Sequence, residues 1–164
     1  MPVTQHPSAE WMLAAFRAAH PDLADPNATY SAWHFCNNEA DADELAALVL
    51  SGRKRATTGA LASYEREGEP PPEAGDLNVI TYWDGRPCCV IRTIAVNVVA
   101  FDEVDEEFAA AEGEGDGSLE YWRRAHEIAF GREFAGTGQI LAGDTLVVCE
   151  RFEVVFPVAP ELRA

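Results

Sequence analysis

Asp76-Leu77-Asn78-Val79-Ile80-Thr81-Tyr82-Trp83, then Asp84-Gly85, then Arg86-Pro87-Cys88-Cys89-Val90-Ile91 and onward to Phe101, is the stretch that decides the fold. Both arms are rich in β-branched and aromatic residues, which favour strands over 76–83 and 86–101. Asp84-Gly85 between them is a strong hairpin signal, because a tight turn there needs residues that tolerate positive φ. Asn97 predicts a bulge or bend in the long second arm. Working outward, Tyr30 to Cys36 is short, aromatic and alternating, which predicts another strand. Thr145 to Phe156 is strongly β-prone and opens behind Gly143-Asp144. Ala74-Gly75-Asp76 and Ala142-Gly143-Asp144 both precede strands, a repeated turn chemistry and not a sequence repeat.

Helical spacing appears in four places. From Ser8, a suitable N-cap, to His20, the residues Trp11, Met12, Ala15, Phe16 and Ala19 share a face, and Pro21 stops the run. Asp41 to Ser51 carries acids in its first turn and a stripe of Ala42, Leu45, Leu48 and Val49, with Gly52 as its C-terminal glycine. Asp105 to Glu112 runs into the flexible acidic loop Gly113-Glu114-Gly115-Asp116-Gly117. Ser118 can cap a last helix in which Leu119, Trp122, Ala125 and Ala129 form a stripe and Gly131 marks the end. The segments 22–29 and 65–75 are proline-containing loops. The pattern is α+β, a small mixed β-barrel covered by helices. It divides into an N-terminal helix and linker at 1–29, a domain at 30–156 and a tail at 157–164.

The 164 residues carry a formal net charge of −16, with 28 acidic against 12 basic side chains. Gripping extended duplex nucleic acid needs a basic face, so that class of partner is disfavoured, while a small nucleic-acid piece in a local pocket is not. No window approaches the roughly 18 apolar residues of a membrane helix, and the first residues lack a signal-peptide pattern, so a cytoplasmic protein without membrane contact is expected. Cys36, Cys88, Cys89 and Cys149 form no C-x-x-C pair, and His6, His20, His34 and His126 lack ligand spacing, so reduced thiols and no metal are expected. The dinucleotide, P-loop, nucleophile-elbow and H-E-x-x-H motifs are absent, and no cofactor is expected.

Against this acidic background, Ser51-Gly52-Arg53-Lys54-Arg55-Ala56-Thr57-Thr58-Gly59-Ala60-Leu61 is the one dense basic run. Cations at a helix end complement the backbone carbonyls, and that alone could explain Arg53 to Arg55. The other reading is a substrate site where a lysine and a hydroxyl converge. In an extended chain Lys54 shares a face with Thr58, and in a turn Thr57 comes round instead. A lysine beside a hydroxyl is a known nucleophile pair, provided burial lets the amine lose its proton. Glu112 is marked by its place directly before a glycine loop, where backbone can approach a ligand, although a solvated helix-end glutamate is the commoner case. His126, four after Trp122, fits a structural histidine better than a catalytic one. Trp33, Tyr82 and Trp83 fit the core, or platforms for single-stranded bases.

Taken together, three features resemble the ASCH domain family, whose members have a PUA-like barrel. They are the helix leading into Gly52-Arg53-Lys54-Arg55-Ala56-Thr57, the strand entry Ala74-Gly75-Asp76-Leu77, and the segment from Phe101 through Glu112-Gly113-Glu114-Gly115-Asp116 to Trp122 and His126. The similarity spans roughly residues 30 to 156. It implies a cleft for a nucleoside or short single-stranded RNA. Some members hydrolyse an acetyl amide on modified cytidine, and others are ribonucleases or RNA-binding regulators. In the amidohydrolase branch a lysine, a threonine three later and a distant glutamate form the catalytic set. This implies Thr57 as nucleophile, neutral Lys54 as general base, and Glu112 orienting the lysine or handling the leaving group's proton. Trp33, Arg53, Arg55, Thr58, Asp116, Trp122 and His126 are then expected to contact substrate. Compared with that branch, this chain is longer at both ends, has Thr58 as a rival hydroxyl and carries an additional proline-rich loop.

Overall fold

The computed structural model describes residues 7–23 and 30–157. Residues 24–29 of the loop expected at 22–29, and the tail after Pro157, lie outside the described residues. Five strands form one mixed sheet in the order β1-β3-β4-β5-β2: β1 Ser31–Trp33, β2 Ala56–Ala60, β3 Leu77–Thr81, β4 Pro87–Ala100 and β5 Leu146–Phe156. β1 runs parallel to β3, and the other pairs are antiparallel. The sheet curls into a half-barrel with β1 and β2 at its edges. Five helices cover it: α1 Pro7–Ala19, α2 Glu39–Leu50, α3 Leu61–Glu67, α4 Glu106–Glu112 and α5 Leu119–Phe134. Among the described residues no helix is long and apolar enough to cross a membrane.

The expected hairpin is the centre of the sheet. Tyr82 N donates to Arg86 O, and Gly85 takes φ 89°, as a tight turn requires. β4 is long enough to pair with β3 at its start and with β5 along most of its length. Its register with β5 shifts twice, between Val90 and Ile91 and between Thr93 and Ala95, and not at Asn97, which stays in register with Cys149. The reason for the second shift is visible in the burial: Thr93 points inward to bond Glu150, and Ile94 is turned outward, 52% exposed.

Alternation along the strands sends side chains to two differently covered faces. Ile80, Cys89, Ile91 and Phe152 pack with Leu45, Ala46 and Val49 of α2. Val79 and Val90 point the other way, where α1 seals them with Leu13 and Phe16. The buried face of α1 is Ala9, Leu13 and Phe16, while Trp11 is 77% exposed, so the sequence reading rotated that helix by part of a turn. At the β2–β5 end, Ala56, Ala60, Val147 and Cys149 pack with Phe108, Trp122, Phe130 and Phe134 of α4 and α5.

Other boundaries differ for local reasons. β1 stops at Trp33, because Phe35 turns into the α2 cluster and Cys36 adopts φ 58°. Asn38 caps α2 by accepting from Asp41 N, which starts that helix two residues early. α5 runs through Gly131 to Phe134. A mid-helix glycine costs about 1 kcal/mol, and burying Phe134 returns more, roughly 1.5–3 kcal/mol. Residues 56–64, for which the sequence predicts no element, and 65–67, expected as the start of a loop, form β2 and α3.

Candidate functional site

α2 ends at Leu50 with Ser51 as C-cap, and Gly52 at φ 81° reverses the chain. Arg53 and Lys54 both donate backbone N–H to Leu48 O, so the basic run leaves the helix in a fixed bend. Arg55 N donates to Ala111 O at 2.7 Å, and Arg55 O accepts from Phe152 N at 3.0 Å. These bonds hold the bend between α4 and β5. Lys54 is thereby carried inside, 1% exposed, with Nζ 5.3 Å from the Phe35 ring centroid.

The opposite wall comes from the end of α4. Asp105 caps this helix by accepting from Phe108 N, and Glu112 is its last residue. Gly113 follows at φ 66°, and a Cβ there would stand 2.2 Å from Arg53 O. Only glycine lets the helix end approach the lysine bend this closely. The reversal lets Glu112 and Glu114, two residues apart, both reach Lys54. Its Nζ donates to Ala56 O at 2.8 Å, to Glu112 Oε1 at 3.2 Å and to Glu114 Oε2 at 3.4 Å. Three acceptors match the three hydrogens of an ammonium.

Glu112 is 2% exposed, and its Oε2 accepts from Thr58 Oγ1 at 2.7 Å and from Trp122 Nε1. His126 Nε2 lies 3.4 Å from the same oxygen, and its Nδ1 is 2.8 Å from Trp122 O. A carbonyl can only accept, so Nδ1 carries the hydrogen in that bond. Burial opposes ionisation of Glu112, yet the charges of Lys54 and His126 and the bonds from Thr58 and Trp122 outweigh it. Its carboxyl sits below the usual range. Glu114 moves the other way: burial raises it, and the Glu112 charge beside it adds to the effect against the pull of Lys54. Two neighbouring carboxylates are thus pushed apart, as happens where acid and base roles separate.

A cavity of about 1540 Å³ opens over this cluster. Lys54, Thr57, Thr58, Glu112, Trp33 and His126 all line it. Trp122 stands behind Glu112, 3% exposed. Arg53, Arg55 and Asp116 are exposed and do not line the cavity. Arg53 instead donates to Gly115 O at 2.8 Å, bracing the glycine loop, and Asp116 accepts from Ser118 N at the entry to α5. Because 56–60 is a strand, Thr57 and Thr58 leave opposite faces: Thr57 pairs across from Glu150 and Thr58 from Cys149. Thr58 therefore meets Glu112, while Thr57 is half-buried with no hydrogen bond from its hydroxyl among the described residues. Among the described residues no three His, Cys, Asp or Glu side chains converge as metal ligands.

Glu114 and Glu150, both lining the cavity, are not among the site residues expected from the sequence. The signal for Glu114 was the Glu-Gly-Glu-Gly spacing, and for Glu150 a charge at the centre of an apolar strand. Glu150 is 5% exposed and bonds Thr93 Oγ1 at 2.8 Å. Burial raises its carboxyl, the Thr93 bond opposes this, and Asp76 adds to the rise. A carboxyl raised in the folded state keeps its proton longer than in the unfolded chain. Stability therefore falls as pH climbs from the unfolded value through the folded one. Glu150→Gln is expected to raise Tm at pH 8 by about 2–4 °C, the shift of ~1 kcal/mol in a domain of this size. The difference should vanish below pH 4, and thermal melts across pH check it.

The family model for the ASCH domain matches residues 31–156. The crystal structure of an ASCH domain from Lactobacillus crispatus JV V101 is similar at 35% identity and a TM-score of 0.83, covering 92% of this chain and 96% of that one. A protein from Enterococcus faecalis V583 is similar at 34% identity and a TM-score of 0.81, covering 90% of this chain and 88% of that one. No curated protein matches the chain to a significant degree.

Proposed function

The chain belongs to the ASCH domain family, and from that membership we propose that its cavity holds a nucleoside or short single-stranded RNA and acts on it as a metal-independent hydrolase. One observation carries the reading: a buried lysine held between two carboxylates, Glu112 and Glu114, at the wall of a cavity that a free threonine hydroxyl also lines. The reaction that suits these groups is hydrolysis of an acetyl amide on the exocyclic nitrogen of cytidine.

Thr57 Oγ1 attacks the acetyl carbon and gives its proton to the Lys54 amine. The tetrahedral intermediate collapses as Lys54 returns that proton to the departing nitrogen, leaving cytidine and an acetyl ester on Thr57. Water activated by the same amine then releases acetate and restores the hydroxyl. Lys54 rests among three acceptors, so it must first shed a proton. Glu114, 3.4 Å away and with its carboxyl raised, is the acceptor for it. Glu112 stays ionised and holds the lysine in place.

A second reading, a binding module without catalysis, is favoured by the complete hydrogen-bonding of Lys54. A buried ammonium with every hydrogen matched can be purely structural. Incubation of the purified protein with N4-acetylcytidine, and separately with a short RNA, decides between them. Acetate release is the expected result. RNA cleavage without acetate release would make the protein a ribonuclease, and turnover of neither would leave the binding module.

A further inference from the structure

Glu150 is unlike the other buried carboxylate. Glu112 has a lysine, whereas Glu150 makes no ion pair with any described residue. Its Oε2 is occupied by Thr93, its Oε1 has no hydrogen-bond partner among the described residues, and the residue lines the cavity. Thr57 sits directly across from it on β2 with its hydroxyl unused. Tyr64 of α3 packs against Gly59 of β2, so near that a Cβ on Gly59 would come 2.9 Å from its ring. Burial and the charge of Glu150 push that phenol up to about 12, so it keeps its hydrogen at neutral pH. One strong acceptor and two hydroxyls therefore share a patch of wall where β2 meets β5.

The wider charge of the cavity narrows what can enter. Among the described residues nine carboxylates line it, against Lys54, Arg124 and Arg132. Lys54 is matched by Glu112 and Glu114, and Arg124 is paired with Glu120 at 2.6 Å. Little positive charge is left over for a phosphate, and a walled acidic cleft concentrates the opposite sign. A buried carboxylate that feels the Lys54 charge but forms no ion pair among the described residues also weakens the fold, which a binding role explains and a scaffolding role does not.

We infer that Glu150, with Tyr64 and Thr57 beside it, is a subsite for the N–H donor edge of a ligand bearing no phosphate at that end. The ligand class is an amine or an amino-substituted heterocycle, neutral or cationic, whose hydrogens a carboxylate accepts as it does from the cytosine amino group. The inference rests on the cavity being the ligand cleft proposed above, and not on hydrolysis taking place there.

Equilibrium dialysis with cytidine and with cytidine 5′-monophosphate tests it, using the full chain and its Glu150→Gln variant. Cytidine should bind at least tenfold more weakly to Glu150→Gln, with Tm equal to or above that of the parent. The monophosphate should bind at least tenfold more weakly than cytidine in low salt, and the gap should narrow as salt rises. Tyr64→Phe should weaken cytidine by a smaller factor. Unchanged cytidine binding in Glu150→Gln, a lowered Tm in that variant, equal or tighter binding of the monophosphate, or no binding of cytidine would each overturn the subsite. Cytidine bound through Glu150 without acetate release from N4-acetylcytidine sinks the hydrolase reading alone. Acetate release at the parent rate and KM by Glu150→Gln sinks the subsite alone.

Discussion

Replacing Glu112 with alanine is expected to destabilise the fold by about 3–5 kcal/mol, the usual effect of stripping one partner from a buried ion pair. Lys54 would remain 1% exposed with its charge facing Ala56 O and Glu114, and Glu114 is the more exposed carboxylate of the two. Trp122 Nε1 and Thr58 Oγ1 would lose their acceptor in the same step. Against a typical domain stability of about 5–15 kcal/mol, that leaves a marginal protein. The double variant Lys54→Met/Glu112→Leu removes both charges, and it should recover much of the loss because no unpaired ion is left. Urea midpoints of the three proteins measure this, and a loss below about 1 kcal/mol in Glu112→Ala would show that the pair is not structural. The pH dependence has a definite sign. A carboxyl held below its unfolded value contributes fully above the unfolded value, and the contribution is lost as pH falls through the folded one. The gap between parent and Glu112→Ala should therefore close in acid because the parent loses stability there, whereas the gap to Glu150→Gln closes in acid because the parent gains it.

Much of this arrangement is legible in the chain where local chemistry and tertiary packing agree. Asp84-Gly85, the helix start near Asp105, the Ser118 cap and the Gly52 reversal are all found where residue type alone put them. Trp11 and the bulge expected at Asn97 were misplaced because which side of α1 faces the core, and where β4 shifts register, depend on partners distant in sequence. Residues 56–64 show no element in the sequence, and 65–67 read as loop, for a related reason. Ala-Thr-Thr-Gly-Ala has little strand character of its own, and β2 exists because β5, some ninety residues later, pairs with it. The site followed the same division. Lys54 and Glu112 stood out by charge and position, and the structure brings them to 3.2 Å. Glu150 belongs to a strand that reads as core, and its cavity-facing role depends on the alternation of β5 and on Tyr64 reaching across Gly59.

The choice between the two threonines is where sequence and geometry pull in different directions, and the expected effects are large. Thr58 meets the charged cluster, but its hydrogen is already given to Glu112, whose depressed carboxyl is a weak base, and whose Oε2 also serves Trp122. A hydroxyl engaged in that way positions the carboxylate and is a poor nucleophile. Thr57 lines the cavity with its oxygen uncommitted among the described residues, and the proposed mechanism takes it as the nucleophile. Thr57→Ala is accordingly expected to lower kcat for N4-acetylcytidine by about a thousandfold or more, as removal of a covalent nucleophile does, with Tm nearly unchanged. Thr58→Ala should lose about 1–2 kcal/mol of stability from the unmade buried bond and keep kcat within about tenfold. Lys54→Ala should match Thr57→Ala in rate, because base and nucleophile act as a unit and their losses do not add. A mass shift of one acetyl group on the parent, trapped by rapid acid quench and absent in Thr57→Ala, would locate the ester directly. The reverse pattern, with Thr57→Ala active and Thr58→Ala dead but folded, would move the nucleophile one residue along the strand and onto the face that carries Glu112.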